Sequence, residues 1–284
     1  MSESHFPPQH QTHQPGDEHD MRPEPEFIRD DYRGTDKLEG KVAIITGGDS
    51  GIGRAVAVHY AREGADCAVV YLDEDRDAED TQALIEAEGR RCLLLRGDVA
   101  DSAFCRDVVE RTRRELGGLN ILVNNAAEQH DWDDVTEITD EQLQRTFATN
   151  IFSHFYLVRE AVPHLSAGDT IIATSSVNAF KGNDTLIDYS ATKGAIQGFV
   201  RSLAQSLVDR EIRVNAVAPG PVWTPLIPAS FDDDKVEGFG GQVPMKRAGQ
   251  PSEMGPAYVY LASKESSYMT GQTIHLNGGV ILNT

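Results

Sequence analysis

From Lys41 onward the chain alternates two hydrophobic patterns. Short runs that are apolar at nearly every position, and rich in β-branched residues, recur at Val42–Thr46, Cys67–Tyr71, Cys92–Leu95, Ile121–Asn124, Thr170–Thr174, Val214–Ala218 and Thr273–Leu276. Between the first six lie segments such as Arg54–Glu63, Ala78–Glu88 and Phe104–Leu116, whose apolar positions repeat at helical spacing. A continuously apolar strand must be covered on both faces, and strands alternating with helices are joined by crossovers, so the pattern predicts an α/β fold with a parallel sheet. Right-handed crossovers make this a doubly wound, Rossmann-type sheet of seven strands, with its ligand at the carboxyl ends of the strands.

Residues 1–40 follow neither pattern. They hold five of the 13 prolines, four of the nine histidines and few aliphatic residues, with four basic residues against ten acidic. Such a segment cannot bury enough apolar surface to offset the cost of ordering it. It is expected to be an extended or disordered arm, laid across the body or a neighbouring subunit, with residues 41–284 as one domain, and deleting residues 1–36 should leave a folded, cofactor-binding domain. Its histidines His5, His10, His13 and His19 lack the regular spacing and scaffold of a metal site, so none is assigned.

The formal charge of −19, from 26 basic and 45 acidic residues, disfavours nucleic acid and anionic membrane surfaces as partners. No apolar run is long enough to span a bilayer. The N-terminus is acidic and proline-bearing, unlike a signal peptide. Cys67, Cys92 and Cys105 are widely spaced with no Cys-x-x-Cys pair, which suggests free thiols in a reducing compartment. The expected address is the cytoplasm and the expected partner a small molecule.

Two constellations carry chemistry. The first strand runs into Thr46-Gly47-Gly48-Asp49-Ser50-Gly51-Ile52-Gly53, after which a helix begins. A glycine-rich strand-to-helix turn lets the backbone approach a diphosphate, and the helix N-terminus stabilises the charge. Further on, Asp188-Tyr189-Ser190-Ala191-Thr192-Lys193-Gly194 opens a helix whose apolar positions Ile196, Phe199, Val200, Leu203 and Leu207 follow helical spacing. Tyr189 and Lys193, four apart, share one face. A phenol titrates near ~10 in water, too high for a base at neutral pH, and a neighbouring ammonium should lower it.

Taken in order, Thr46–Gly53, Asn124-Asn125-Ala126-Ala127, Ser175-Ser176, Tyr189-x3-Lys193 and Pro219-Gly220 resemble the short-chain dehydrogenase/reductase family. The resemblance runs from about Leu38 to the C-terminus. The arm further resembles that of a bacterial subgroup of general stress proteins and aldehyde reductases. The family resemblance implies an oxidoreductase that moves a hydride between a nicotinamide cofactor and an alcohol or carbonyl compound (aldehyde or ketone), commonly as a homotetramer. It implies Tyr189 as general acid/base, Lys193 as the group that tunes it and holds the cofactor ribose, and Ser176 as the partner of the substrate oxygen. Asn150 matches a family asparagine whose helix is locally distorted to hold a relay water, whereas Ser175 is assigned to structure. The implied cofactor contacts are Gly47, Ser50, Gly51, Ile52 and Gly53 in the turn, Tyr71, Leu72 and Asp73 after the second strand, and Asp98 with Val99 after the third. Asn124 and Ala126 after the fourth strand, Tyr189 and Lys193, and Pro219, Gly220, Val222 and Thr224 after the sixth complete the set. Where the family usually has glycine this chain has Ala127, whose methyl is expected to crowd the turn.

At the second strand end, Tyr71 stands where NAD-preferring relatives usually carry Asp, and Leu72 where many NADP-preferring ones carry Arg. Asp73, Glu74 and Asp75 follow, so NAD(H) is favoured over NADP(H), with Arg54 and Arg76 as the cations that would have to reach a 2′-phosphate. The loop from Trp223 to Gln242 is where this family carries its substrate lid, and Trp132, Trp223 and Phe231 are either pocket or packing residues. The rival reading is a nucleotide-binding regulatory or scaffold protein without turnover, which need not retain Asn150, Ser176, Tyr189 and Lys193 together. An epimerase or dehydratase on an extended version of the scaffold is disfavoured by the glycine spacing and the short C-terminal region.

Overall fold

A computed structural model describes residues 6–282. The seven strands are β1 (Val42–Thr46), β2 (Asp66–Tyr71), β3 (Cys92–Arg96), β4 (Ile121–Asn124), β5 (Thr170–Thr174), β6 (Arg213–Pro219) and β7 (Thr273–Leu276). They form one sheet in the order β3-β2-β1-β4-β5-β6-β7, every pair parallel. The helices are α1 (Gly51–Arg62), α2 (Asp75–Ala87), α3 (Ser102–Leu116), α4 (Asp140–Phe147), α5 (Ser153–Ala161), α6 (Asn178–Lys181), α7 (Ile187–Leu207), α8 (Asp233–Glu237) and α9 (Pro251–Ala262).

Alternation along the strands sorts the core into two layers. On one face Ile44, Val70 and Leu122 meet Val108 of α3, Leu157 of α5 and Val200 of α7. On the other, Ile45, Val69 and Val123 meet Val56 and Tyr60 of α1, Ile85 of α2 and Tyr258 of α9. The strand order reverses between β1 and β4, so the loops leaving these two strands diverge and open a crevice at their carboxyl ends. Cys67 and Cys105 are buried and Cys92 half-buried, all as free thiols, and burial pushes each upward from its ordinary value.

The described part of the arm runs over the body in extended form, broken by one helical turn at Glu18–Asp20. It brings Phe6 and Met21 into a third apolar cluster with Trp223, Ile227, Val236 and Ala248. Phe6 stacks on Trp223 with ring centroids 3.7 Å apart, and the Trp223 indole N–H donates to the Pro23 carbonyl at 2.9 Å. The arm therefore contributes core residues that its composition does not reveal. Trp223 is a packing residue, not a pocket residue. His5 lies outside the described residues. His10 bonds the Phe231 carbonyl, His13 pairs with Asp17, and His19 bonds Asp77.

Candidate active site

The crevice holds a cavity of 560 Å³. Its floor begins at the glycine-rich turn. Gly47 and Gly51 have φ of +60° and +50°, and a Cβ on Gly53 would lie 1.7 Å from the Gly47 carbonyl oxygen. Only glycine permits this turn and this close approach of α1, so the cradle fits a diphosphate group. Gly47, Ser50, Gly51 and Ile52 line the cavity, while Gly53 is a packing residue behind it. Gly51 N–H already donates to the Glu18 carboxylate of the arm at 2.6 Å.

After β4 the structure separates two adjacent asparagines. Asn124 is buried, lies outside the cavity wall and has no hydrogen-bond partner for its side chain among the described residues. Asn125 lines the cavity, donates to the Thr46 and Gly47 carbonyls at 3.1 and 3.2 Å and accepts from the Thr174 hydroxyl at 3.0 Å. It joins β1, β4 and β5 where the sheet opens, a role sequence reasoning missed although the residue stood inside the motif. Ala126 and Ala127 line the cavity too, and Ala127 does not adopt positive φ. The left-handed backbone that would demand glycine is absent there.

The remaining ends converge from opposite directions. Ser176 follows β5, and its Oγ accepts the Asn178 N–H at 3.1 Å. Tyr189 and Lys193 project from the first turns of α7. Lys193 is fully buried, and its Nζ donates to the Thr174 carbonyl at 2.9 Å and sits 5.3 Å from the Tyr189 ring centroid. Ser175 bonds the Lys193 carbonyl at 3.1 Å, which fixes β5 against α7. Asn150 lies in a π-helical turn, Ala148–Phe152, between α4 and α5. Its side chain brackets the backbone of Glu128, donating to the carbonyl at 2.8 Å and accepting from the N–H at 2.9 Å, and also reaches the Thr192 hydroxyl at 3.2 Å. Asn150 is thus behind the wall that Glu128 presents to the cavity.

The electrostatics correct one expectation. Burial pushes the Tyr189 phenol up to about 12, against the opposing pull of its hydrogen bond with Ser176. Burial likewise brings the Lys193 ammonium down to about 7. Desolvation penalises each charged form more than these neighbours restore it. The phenol is therefore a proton donor at neutral pH.

At the adenosine-side strand ends, Tyr71, Leu72, Asp98 and Val99 line the cavity and Asp73 does not. The Tyr71 hydroxyl donates to Asp75 at 2.9 Å. Asp98 accepts from the Ala100 N–H at 2.8 Å and pairs with Arg145, which also bonds Glu128 at 3.0 Å. Arg54 has no free face toward the cavity. Its guanidinium meets Glu18 at 2.6 Å, the Asp49 carbonyl at 2.8 Å, and the Thr81 hydroxyl and Asp77 carbonyl at 2.9 Å each. Asp49 and Glu74 are buried, and desolvation raises both, with the Asp49 charge adding to the rise at Glu74. At the end of β6 and beyond it, Pro219, Gly220, Val222 and Thr224 line the cavity, followed by Ile227, Phe231 and Phe239 of the loop from Trp223 to Gln242, which holds α8. Trp132 is not part of the wall.

A doubly wound sheet with a diphosphate cradle at its switch point and a Ser-Tyr-Lys set opposite defines a nicotinamide-dependent oxidoreductase acting on an alcohol/carbonyl pair. A family model described as enoyl-(acyl carrier protein) reductase matches residues 47–281, and the chain belongs to the short-chain dehydrogenase/reductase family. It is 59% identical to general stress protein 39 of Bacillus subtilis (strain 168), over 98% of each chain. It is 49% identical to NADPH-dependent aldehyde reductase 1, chloroplastic, of Arabidopsis thaliana, over 97% of this chain and 98% of that one. Among solved structures, a short chain dehydrogenase from Burkholderia cenocepacia J2315 in complex with NADP superposes with a TM-score of 0.81 at 31% identity, covering 86% of this chain and 98% of that one. Among the described residues no helix is long and apolar enough to cross a membrane.

Proposed function

We propose that the cavity reduces an aldehyde or ketone, or oxidises the matching alcohol, with Tyr189 as the acid/base, Ser176 as its partner at the substrate oxygen and Lys193 as the positioning cation. The convergence of these three side chains on one cavity with the glycine cradle carries this reading. When bound, the nicotinamide ring supplies or accepts the hydride. Gly47, Ser50, Gly51 and Ile52 would hold the diphosphate, Lys193 the ribose, and Val222 with Thr224 the carboxamide. In the reductive direction the phenol of Tyr189 donates its proton to the carbonyl oxygen as that oxygen gains charge, while the Ser176 hydroxyl orients it. The buried setting, walled by the lid, excludes water from the transfer. Asn150, held between Glu128 and Thr192, fixes the wall beside α7.

For the cofactor we favour NAD(H). The Arabidopsis relative is named for NADPH and the Burkholderia structure holds NADP, yet Arg54 in this chain is already saturated by Glu18, Asp77 and backbone carbonyls. Asp49 lines the cavity near the second strand end, where a 2′-phosphate would meet carboxyl groups, with Arg54 already committed elsewhere and Arg76 outside the cavity wall. Titration of the protein's intrinsic fluorescence with each reduced cofactor should give tighter binding of NADH; tighter binding of NADPH would reverse this assignment. Exposed Phe152, at the end of the π-helical turn, and exposed Phe155 on α5 support a homo-oligomer, tetrameric as in relatives, and three free thiols support a cytoplasmic address. Reduction of a carbonyl panel, followed by loss of NADH absorbance, tests the reaction class.

A further inference from the structure

The arm reaches the chemistry as well as the surface. Pro15 and Gly16 belong to the wall of the cavity that holds Tyr189. On one bank of the opening the arm is fixed by Glu18 to Gly51 and Arg54, and by His19 to Asp77 at 3.1 Å. On the other it is fixed to the lid, with Gln11 N–H donating to the Pro228 carbonyl at 2.8 Å and Phe6 N–H to the Glu237 carbonyl at 3.2 Å. Gln14 spans the gap. Its amide donates to the carbonyls of Gln129 and Ala229, and its oxygen accepts the Gln129 N–H at 3.1 Å. Gln129 follows Glu128, which Asn150 holds to Thr192 on the helix of Tyr189. One arm side chain thus sets the separation between the loop beside Tyr189 and the lid. There is no slack in this contact, because a Cβ on Gly16 would lie 2.8 Å from the Pro225 carbonyl oxygen and 3.0 Å from Ala229 Cβ.

We propose that Gln14, Pro15 and Gly16 are substrate-specificity residues: they close the substrate end of the cavity and limit the bulk of the carbonyl compound that reaches Tyr189. The inference rests on reading this cavity as the oxidoreductase site. A wall made by a separate segment discriminates by shape, and each excess methylene in a filled pocket is worth roughly 10-fold or more in kcat/KM. Opening the wall relaxes discrimination and leaves the cofactor cradle intact.

The test uses the full chain and two variants. Gln14→Ala removes three hydrogen bonds from the arm–lid junction, and Gly16→Val forces the arm off Pro225 and Ala229. In both, the ratio of kcat/KM for propanal over benzaldehyde should fall about tenfold while the NADH dissociation constant stays within about twofold. Backbone amides of residues 226–239 should exchange hydrogen faster. An unchanged substrate ratio in both variants overturns the proposal, and so do unchanged lid amides. Gln14→Ala reports even where Gly16→Val fails to fold. Should the wild-type chain reduce neither aldehyde, the assigned reaction class falls by itself. Binding of the same two aldehydes, read by quenching of bound NADH fluorescence, then replaces kcat/KM with the same expected and refuting outcomes.

Discussion

Lys193 should cost the fold stability at neutral pH, and replacing it should show by how much. The ammonium is fully buried and titrates at about 7 in place of 10.5, because burial disfavours its charged form. In the unfolded chain it titrates near its ordinary value, so between these limits the unfolded state binds the proton more tightly than the folded one. Stability from this group is complete above the unfolded value and is lost as pH falls toward about 7. At about 1.4 kcal/mol per pH unit, the full span is worth roughly 5 kcal/mol. Lys193→Met keeps the length of the side chain and removes that penalty. It also strips the Thr174 carbonyl of its 2.9 Å bond, at a cost of about 1–3 kcal/mol. The variant should therefore be more stable than the wild type by about 2 kcal/mol at pH 7, or roughly 4 °C in Tm for a chain of this size. It should bind NADH more weakly at the same time. Paired urea denaturation curves at pH 7 and near pH 10 separate the terms, since the advantage should vanish or reverse at the higher pH. A variant that is less stable by the same margin at both pH values would refute the argument, because it would mean that the lost hydrogen bond alone sets the outcome.

Tyr189→Phe should lower kcat by about 10²–10⁴-fold with little change in NADH affinity, which comes from other groups; near-native turnover in a steady-state assay would end its role as acid/base. Trp223→Ala should destabilise the chain by about 3–5 kcal/mol, since it empties a fully buried site and strands Phe6, and a urea midpoint close to the wild type's would mean that the arm does not dock in solution.

The sheet was legible because its strands are buried on both faces. Val42–Thr46, Ile121–Asn124, Thr170–Thr174 and Thr273–Leu276 coincide with strands of the structure, and no competing helical period disturbs them. The constellations were legible as motifs but not as depths. Spacing places Tyr189 and Lys193 on one face, yet only three-dimensional packing reveals that both are buried so far that desolvation outweighs their mutual influence. Which of Asn124 and Asn125 meets the cavity depends on where β4 ends and the chain turns, a matter of one residue. The arm was least legible. Phe6 and Met21 stand alone among polar and proline residues, and the cluster they join lies some 200 positions onward, as does the Trp223–Pro23 bond, so no local periodicity announces the contact.

That separation along the chain has a temporal consequence. The arm is translated before the body, and Trp223, Pro228 and Glu237 follow about two hundred residues later, at ~5–20 residues per second. Phe6 and Met21 therefore wait unburied for roughly ten seconds or more while the earlier strands of the sheet are made. A segment made before the sheet thus docks only after most of the sheet has been made, on partners that did not exist when it was translated.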